Sequence, residues 1–191
     1  ARQRRKSEPP EMRVPFSPMS RPIVHLIPHT HWDREWYLPL GGFRARLVIA
    51  LDQLFAQLEA DTRIRSFLLD GQTALIEDYL RVRPERADAV VGLVGDGRLQ
   101  IGPWYVLADE QIPAGESLIR NLLHGGTAAR RLGDRAPLGS AAARPRREGV
   151  LEGGSTQVLY SPDAFGHPAS LPAIGAEFGI RHAVVWRGVG T

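Results

Sequence analysis

The sequence predicts an α/β protein: a (β/α) barrel-like parallel sheet with helices outside, incomplete at about five strands. Three observations predict it. Short apolar runs alternate with stretches of helical periodicity along most of the 191 residues, which is the pattern of parallel βα units whose strands are covered on both faces. Each apolar run stops abruptly at polar or aromatic residues, at the strand end where such folds carry their ligands. A closed eight-stranded barrel takes on the order of 250 residues, so the chain reads as the first part of something larger.

Taken in order, the first strand is expected at Ile23-Val24-His25-Leu26-Ile27, a buried run too short for a surface helix and closed by Pro28. Gly41-Gly42 is expected to break the chain before an amphipathic helix that carries Leu47, Ala50, Leu51, Leu54, Phe55 and Leu58 through Glu59. A second buried strand, Arg65 to Asp70, leads to a helix with Leu75, Ile76, Tyr79 and Leu80. Pro84 suits the first turn of the next helix, which Gly95-Asp96-Gly97 ends. Arg98 to Gly102 is the third strand and runs into Pro103-Trp104-Tyr105, ahead of a helix with Leu118, Ile119, Leu122 and Leu123. Residues 135–156 have no period and read as a flexible insert. A fourth strand at Gln157 to Tyr160, a helix through Leu171, Ile174 and Phe178, and a fifth strand at Ala183 to Trp186 complete the pattern.

Composition narrows the classes. With 43% hydrophobic and 24% charged residues the chain has the make-up of an ordinary globular domain able to bury a core. The net charge of +3 comes mainly from Arg2 to Lys6 and Arg144 to Arg147. No aromatic residues are interleaved there, so a nucleic-acid partner is not expected. Residues 1–20 read as a disordered basic extension, or as sequence upstream of a natural start at Met19. Cysteine is absent, which excludes a disulfide framework and a thiolate site and leaves any metal to nitrogen and oxygen donors. No run has the apolar length of a membrane span and no signal-peptide core follows the basic start; no membrane partner and a cytoplasmic location are the expectation.

The chemistry is concentrated at the end of the first strand. His29, His31 and Asp33 are two residues apart, so an extended backbone points all three to one side. Neutral imidazole and carboxylate are zinc ligands. A divalent-metal site and a strand end with imidazoles hydrogen-bonded to backbone are both compatible with this stretch. Asp163, between Pro162 and Gly166, has two readings as well: a carboxylate presented into a cleft as a third oxygen ligand, or the cap of the helix that follows. His167 is a supporting donor or a capping residue. His31, Asp33, Asp70, Trp104, Asp109, Asp163 and Arg187 all fall on one rim of the expected fold.

Four segments in order carry a family resemblance: His29-Thr30-His31-Trp32-Asp33-Arg34-Glu35-Trp36-Tyr37; Leu69-Asp70-Gly71-Gln72 through Tyr79; Gly102-Pro103-Trp104-Tyr105 with Gly115 to Leu123; and Pro162-Asp163-Ala164-Phe165-Gly166-His167. Together they resemble the N-terminal catalytic domain of glycoside hydrolase family 38, nearest its bacterial α-mannosidase and mannosylglycerate hydrolase branch, over residues 21–191 apart from 135–156. The resemblance implies a retaining α-mannosidase that binds one zinc ion and acts on α-mannoside carbohydrate. It implies that His31 and Asp33 are zinc ligands, that Asp163 is both nucleophile and zinc ligand, and that Trp36, Phe165 and Arg187 line the sugar site. His29 matches a family histidine that is not assigned to the metal. The family's remaining histidine ligand and its acid/base carboxylate fall beyond residue 191, and neither Asp109 nor Glu110 takes the acid/base role. Two other classes stay open: a different barrel-type metal hydrolase, such as an amidohydrolase, and a non-catalytic remnant.

Overall fold

A computed structural model describes residues 23–133 and 157–189. The expected extension at 1–20 and insert at 135–156 lie outside them. The element order is α1 (Leu40–Ala60), β1 (Phe67–Leu68), α2 (Ala74–Leu80), a 3-10 turn (Pro84–Arg86) leading into α3 (Ala87–Gly95), β2 (Leu99–Gln100), α4 (Gly115–Gly133), β3 (Val158–Ser161), α5 (Leu171–Glu177) and β4 (His182–Val185).

Among the described residues both strand pairs are parallel, as the alternation requires. In one sheet Phe67 faces Leu99 and Leu68 faces Gln100; in the other β3 and β4 pair over four residues, from Val158 with His182 to Ser161 with Val185. The chain ahead of α1 joins β1 only at its end, where Leu68 N–H donates to the Pro28 carbonyl at 3.0 Å and Thr30 N–H to the Leu68 carbonyl at 3.3 Å. Successive βα units with parallel strands are the architecture of an incomplete barrel.

Two expectations need correction. Residues 23–27 form no buried strand: Ile23, Val24, Leu26 and Ile27 are between 64% and 88% exposed. A strand is buried only by what pairs with its edges and covers its faces, and among the described residues these five positions have neither. Gly41 and Gly42 do not break the chain but lie in the first turn of α1, where Gly42 and Phe43 N–H groups both donate to the Pro39 carbonyl. Two glycines are tolerated there because the first turn lacks a full set of intrahelical bonds in any case.

The periodicity of α1 is realised as a buried stripe of Phe43, Leu47, Leu51, Phe55 and Leu58. Its Leu47, Leu51, Phe55 and Leu58 pack with Leu69, Leu75, Ile76, Tyr79, Val90, Leu93, Val94, Leu99, Ile101 and Ala129 into one core. Each fully buried Leu or Phe there contributes about 1.5–3 kcal/mol of transfer free energy. A second cluster, formed by Trp104, Leu118, Leu122, Leu159, Leu171, Phe178 and Ile180, ties α4 and α5 to β3. Helix α4 lies directly on the loop after β2: a Cβ on Gly125 would stand 2.1 Å from the Pro103 carbonyl, so only glycine fits.

Candidate functional site

The site is built from the segment ahead of α1 and the loops after β1, β2, β3 and β4, cross-linked by polar side chains. Gln72, after β1, donates through Nε2 to the Trp32 carbonyl (3.0 Å) and to Asp70 Oδ2 (2.6 Å), and accepts the Leu107 N–H. Asn121 of α4 accepts the N–H groups of Tyr105 and Val106 and donates to the Val106 carbonyl. Asp109 accepts the Phe165 N–H at 3.1 Å. Arg34 forks onto Asp78 at 2.6 and 3.1 Å, and Arg44 joins it at 2.9 Å. Burial opposes the charge on Asp78, but the two guanidiniums outweigh it and hold its carboxyl below the usual range. The four sequence segments are therefore one hydrogen-bonded belt.

On this belt His31, Asp33 and Asp163 come together, although Asp163 is 132 residues beyond His31. One donor atom from each lies within 4.8 Å of the others. His31 Nε2 is 3.5 Å from Asp33 Oδ1 and 3.6 Å from Asp163 Oδ2. Side-chain exposures of 33, 38 and 45% leave the cluster open to solvent. One imidazole nitrogen and two carboxylate oxygens form a donor set suited to a divalent metal.

Behind His31 stands Asp70, which is fully buried. It sits in the left-handed region at φ 49°, a conformation that aspartate tolerates better than most residues. Its Oδ1 meets His31 Nδ1 at 3.1 Å, and its Oδ2 accepts the Trp32 N–H at 2.7 Å in addition to Gln72. The hydrogen bond to Asp70 is the largest influence on His31 and raises its pKa. Burial raises that of Asp70 against the pull of the His31, Trp32 and Gln72 contacts. Nδ1 is therefore the ring nitrogen engaged with Asp70. Nε2 is on the side of Asp33 and Asp163, the nitrogen that would face a metal held there.

The other expected residues fall in different places. Arg187 pairs with Asp163 Oδ1 and also donates to the Asp163 backbone carbonyl at 3.2 and 3.4 Å. Its guanidinium lies 4.0 Å above the Phe165 ring. Phe165 and Trp36 are 69% and 75% exposed; the Trp36 ring stands edge-on to Tyr37, 5.3 Å away, rather than within the cluster. His29 takes no part in the three-residue group. Its Nδ1 pairs with the Tyr160 hydroxyl at 2.7 Å, and burial keeps that phenol protonated by pushing its pKa up to about 12. Asp163 is not a helix cap, because α5 begins only at Leu171 after Ser170. Asp70 was legible as a residue of the rim, but its pairing with His31 depends on two loops 39 positions apart meeting in space.

The pattern of the glycosyl hydrolases family 38 N-terminal domain matches residues 21–137, a span that contains His31, Asp33 and Asp70 and stops before Asp163. A protein of Halalkalibacterium halodurans called "Putative mannosylglycerate hydrolase" is 42% identical over 166 residues, covering 87% of this chain and 16% of that protein. The crystal structure of an alpha-mannosidase from Enterococcus faecalis V583 superposes with a TM-score of 0.71 at 34% identity, over 83% of this chain and 16% of that one. A second Enterococcus faecalis structure, of a protein in glycosyl hydrolase family 38, gives 0.64 at 33% identity over 82% and 16%. The chain thus spans about one sixth of the length of these relatives. With the family pattern covering more than half of the chain and the superposition extending it, the chain belongs to glycosyl hydrolase family 38, within its N-terminal domain.

Proposed function

We propose that this chain carries the metal-holding and nucleophilic part of a zinc-dependent retaining α-mannosidase that acts on terminal α-mannosides, mannosylglycerate among them. The observation that supports it most is the meeting of His31 Nε2 with the carboxylates of Asp33 and Asp163. His31, Asp33 and Asp163 are the residues that would hold the ion. Bound zinc supplies Lewis acidity toward sugar hydroxyls and toward charge that develops in the displacement.

The chain's own residues do the rest. Asp70 keeps a proton on His31 Nδ1 and so keeps Nε2 available. Asp163 attacks the anomeric carbon of the mannoside, the bond to the aglycone oxygen breaks, and that oxygen takes a proton from a carboxylic acid elsewhere in the complete protein. Water activated by the same group then releases mannose from the Asp163 ester with net retention. Arg187 holds Asp163 by its backbone carbonyl and by Oδ1, which fixes the direction of attack. Phe165 and Trp36 offer exposed rings to the apolar face of the sugar. The names of the relatives favour this substrate class, since one is called a mannosylglycerate hydrolase and the other an alpha-mannosidase.

The test is an assay of the full-length protein on an aryl α-mannoside and on mannosylglycerate, before and after treatment with a chelator. Hydrolysis that disappears on metal removal and returns with zinc is expected. Asp163→Ala is expected to lower kcat by on the order of a thousandfold or more. Activity on neither substrate, or indifference to the chelator, would refute the reading.

A further inference from the structure

Outside the three-residue cluster, His167 is held at both ring nitrogens. Its Nδ1 lies 2.6 Å from Glu110 Oε2, and its Nε2 lies 2.9 Å from the Arg187 carbonyl. Glu110 is 2% exposed, and its other oxygen accepts the Ser161 hydroxyl at 2.6 Å. A backbone carbonyl only accepts, so Nε2 carries hydrogen. An ionised carboxylate also only accepts, so Nδ1 carries hydrogen as well, and a ring with two N–H groups is an imidazolium. The one arrangement with the same heavy atoms and a neutral ring puts a proton on Glu110 and leaves Nδ1 as acceptor.

The surroundings favour the charged form. A buried carboxylate without a cation is costly, and the imidazolium is the partner in contact with Glu110. Burial works against the charge on His167, but the Glu110 hydrogen bond, the Arg187 carbonyl and the nearby charges of Glu110 and Asp109 outweigh it and raise its pKa. The Arg187 guanidinium is turned away from the ring, onto Asp163 and Phe165.

We infer that His167 is an imidazolium at neutral pH that, with Glu110, forms an ionic clasp positioning Arg187 against Asp163. Three loops meet in it: Glu110 from the loop after β2, His167 from the loop after β3 and the Arg187 carbonyl from the end of β4. Close backbone contact reinforces it. Gly188 has φ 78°, and a Cβ there would stand 2.7 Å from Gly166 N and 2.8 Å from the Ala164 carbonyl. With its carbonyl pinned by His167 and its neighbour pressed on the Asp163 loop, Arg187 has its guanidinium directed onto the carboxylate. Glu110 and His167 are thus positioning residues, and neither touches the reacting atoms.

The inference rests on the reading of Asp163 as nucleophile for its catalytic consequence, but its protonation claim does not, which separates the two tests. Neutron diffraction from the full-length protein at neutral pH is expected to show hydrogen on both nitrogens of His167 and none on Glu110. Hydrogen on Glu110 with Nδ1 bare would overturn the clasp even in a fully active enzyme, whereas an inactive wild type would refute only the proposed function. In the same protein, Glu110→Gln is expected to lower kcat on mannoside by about 10–100-fold, the scale of a small misplacement of a catalytic group, with KM nearly unchanged. The alkaline limb of its pH profile should move toward acid, because the neutral amide no longer holds the His167 proton. A wild-type profile in Glu110→Gln, or an equal loss at every pH, would overturn the positioning role.

Discussion

His31 and His167 are a matched pair in everything local. Each lies in a loop, and each turns Nδ1 to a buried carboxylate, Asp70 at 3.1 Å and Glu110 at 2.6 Å. They differ in what stands before Nε2. His31 meets the carboxylates of Asp33 and Asp163 there, 3.5 and 3.6 Å away, whereas His167 meets the carbonyl of Arg187 at 2.9 Å. Two further anions invite a cation into the gap, which is what a metal site is. A lone carbonyl only accepts and closes the ring into a fixed cation. The same imidazole with the same carboxylate support thus becomes a candidate ligand in one loop and a bolt in the next, decided by the second nitrogen alone.

The contrast can be broken at its strongest point first. His31→Ala removes the sole imidazole of the cluster, and zinc titration by calorimetry is expected to show an affinity loss greater than about 100-fold, beyond the range for supporting residues. Asp70→Asn leaves the cluster intact and removes only the charge behind it. An affinity loss of about 10–100-fold is expected, read in the same titration, and unchanged affinity would mean that Asp70 is a folding residue only.

His167 makes the opposite kind of prediction, in stability against pH. Its folded value is raised above the ordinary 6.5, so the folded state holds the proton more tightly than the unfolded chain. The stabilisation is fully present below pH 6.5 and is lost as pH rises through the folded value. Denaturant midpoints measured across that window should fall with rising pH in the wild type, and Glu110→Gln should flatten the slope. The smallest effect belongs to a pair that shares the charges but not the burial. Arg120 and Glu116 on α4 are 68% and 63% exposed at 2.7 Å, and Glu116→Gln should change stability by less than about 1 kcal/mol.

Much of this was legible without coordinates. The periodicity of Leu47, Leu51, Phe55 and Leu58 marked α1, and that of Leu118 and Leu122 marked α4, because a helix must bury one stripe and the stripe is written at fixed spacing. The placement of Asp163 after β3 followed from a short apolar run that stops at polar residues, whereas the run before His31 and Asp33 forms no strand. What escaped was whatever depends on a second segment. Ile23 to Ile27 reads as a buried strand, yet burial belongs to the neighbours, and among the described residues no neighbour covers it. The choice for Asp163 between cap and cleft carboxylate turned on where α5 starts, at Leu171 rather than beside the aspartate.

The sequence by itself determined the order of βα units, the helices and the set of polar residues delivered to one rim, since those are properties of local pattern and spacing. Only the tertiary structure decided which of these residues face one another: Asp70 behind His31, Glu110 behind His167, Arg187 onto Asp163. The reason is physical. A side chain's charge and role are set by the atoms within hydrogen-bond reach of it, and at these positions those atoms come from 24 to 57 residues away.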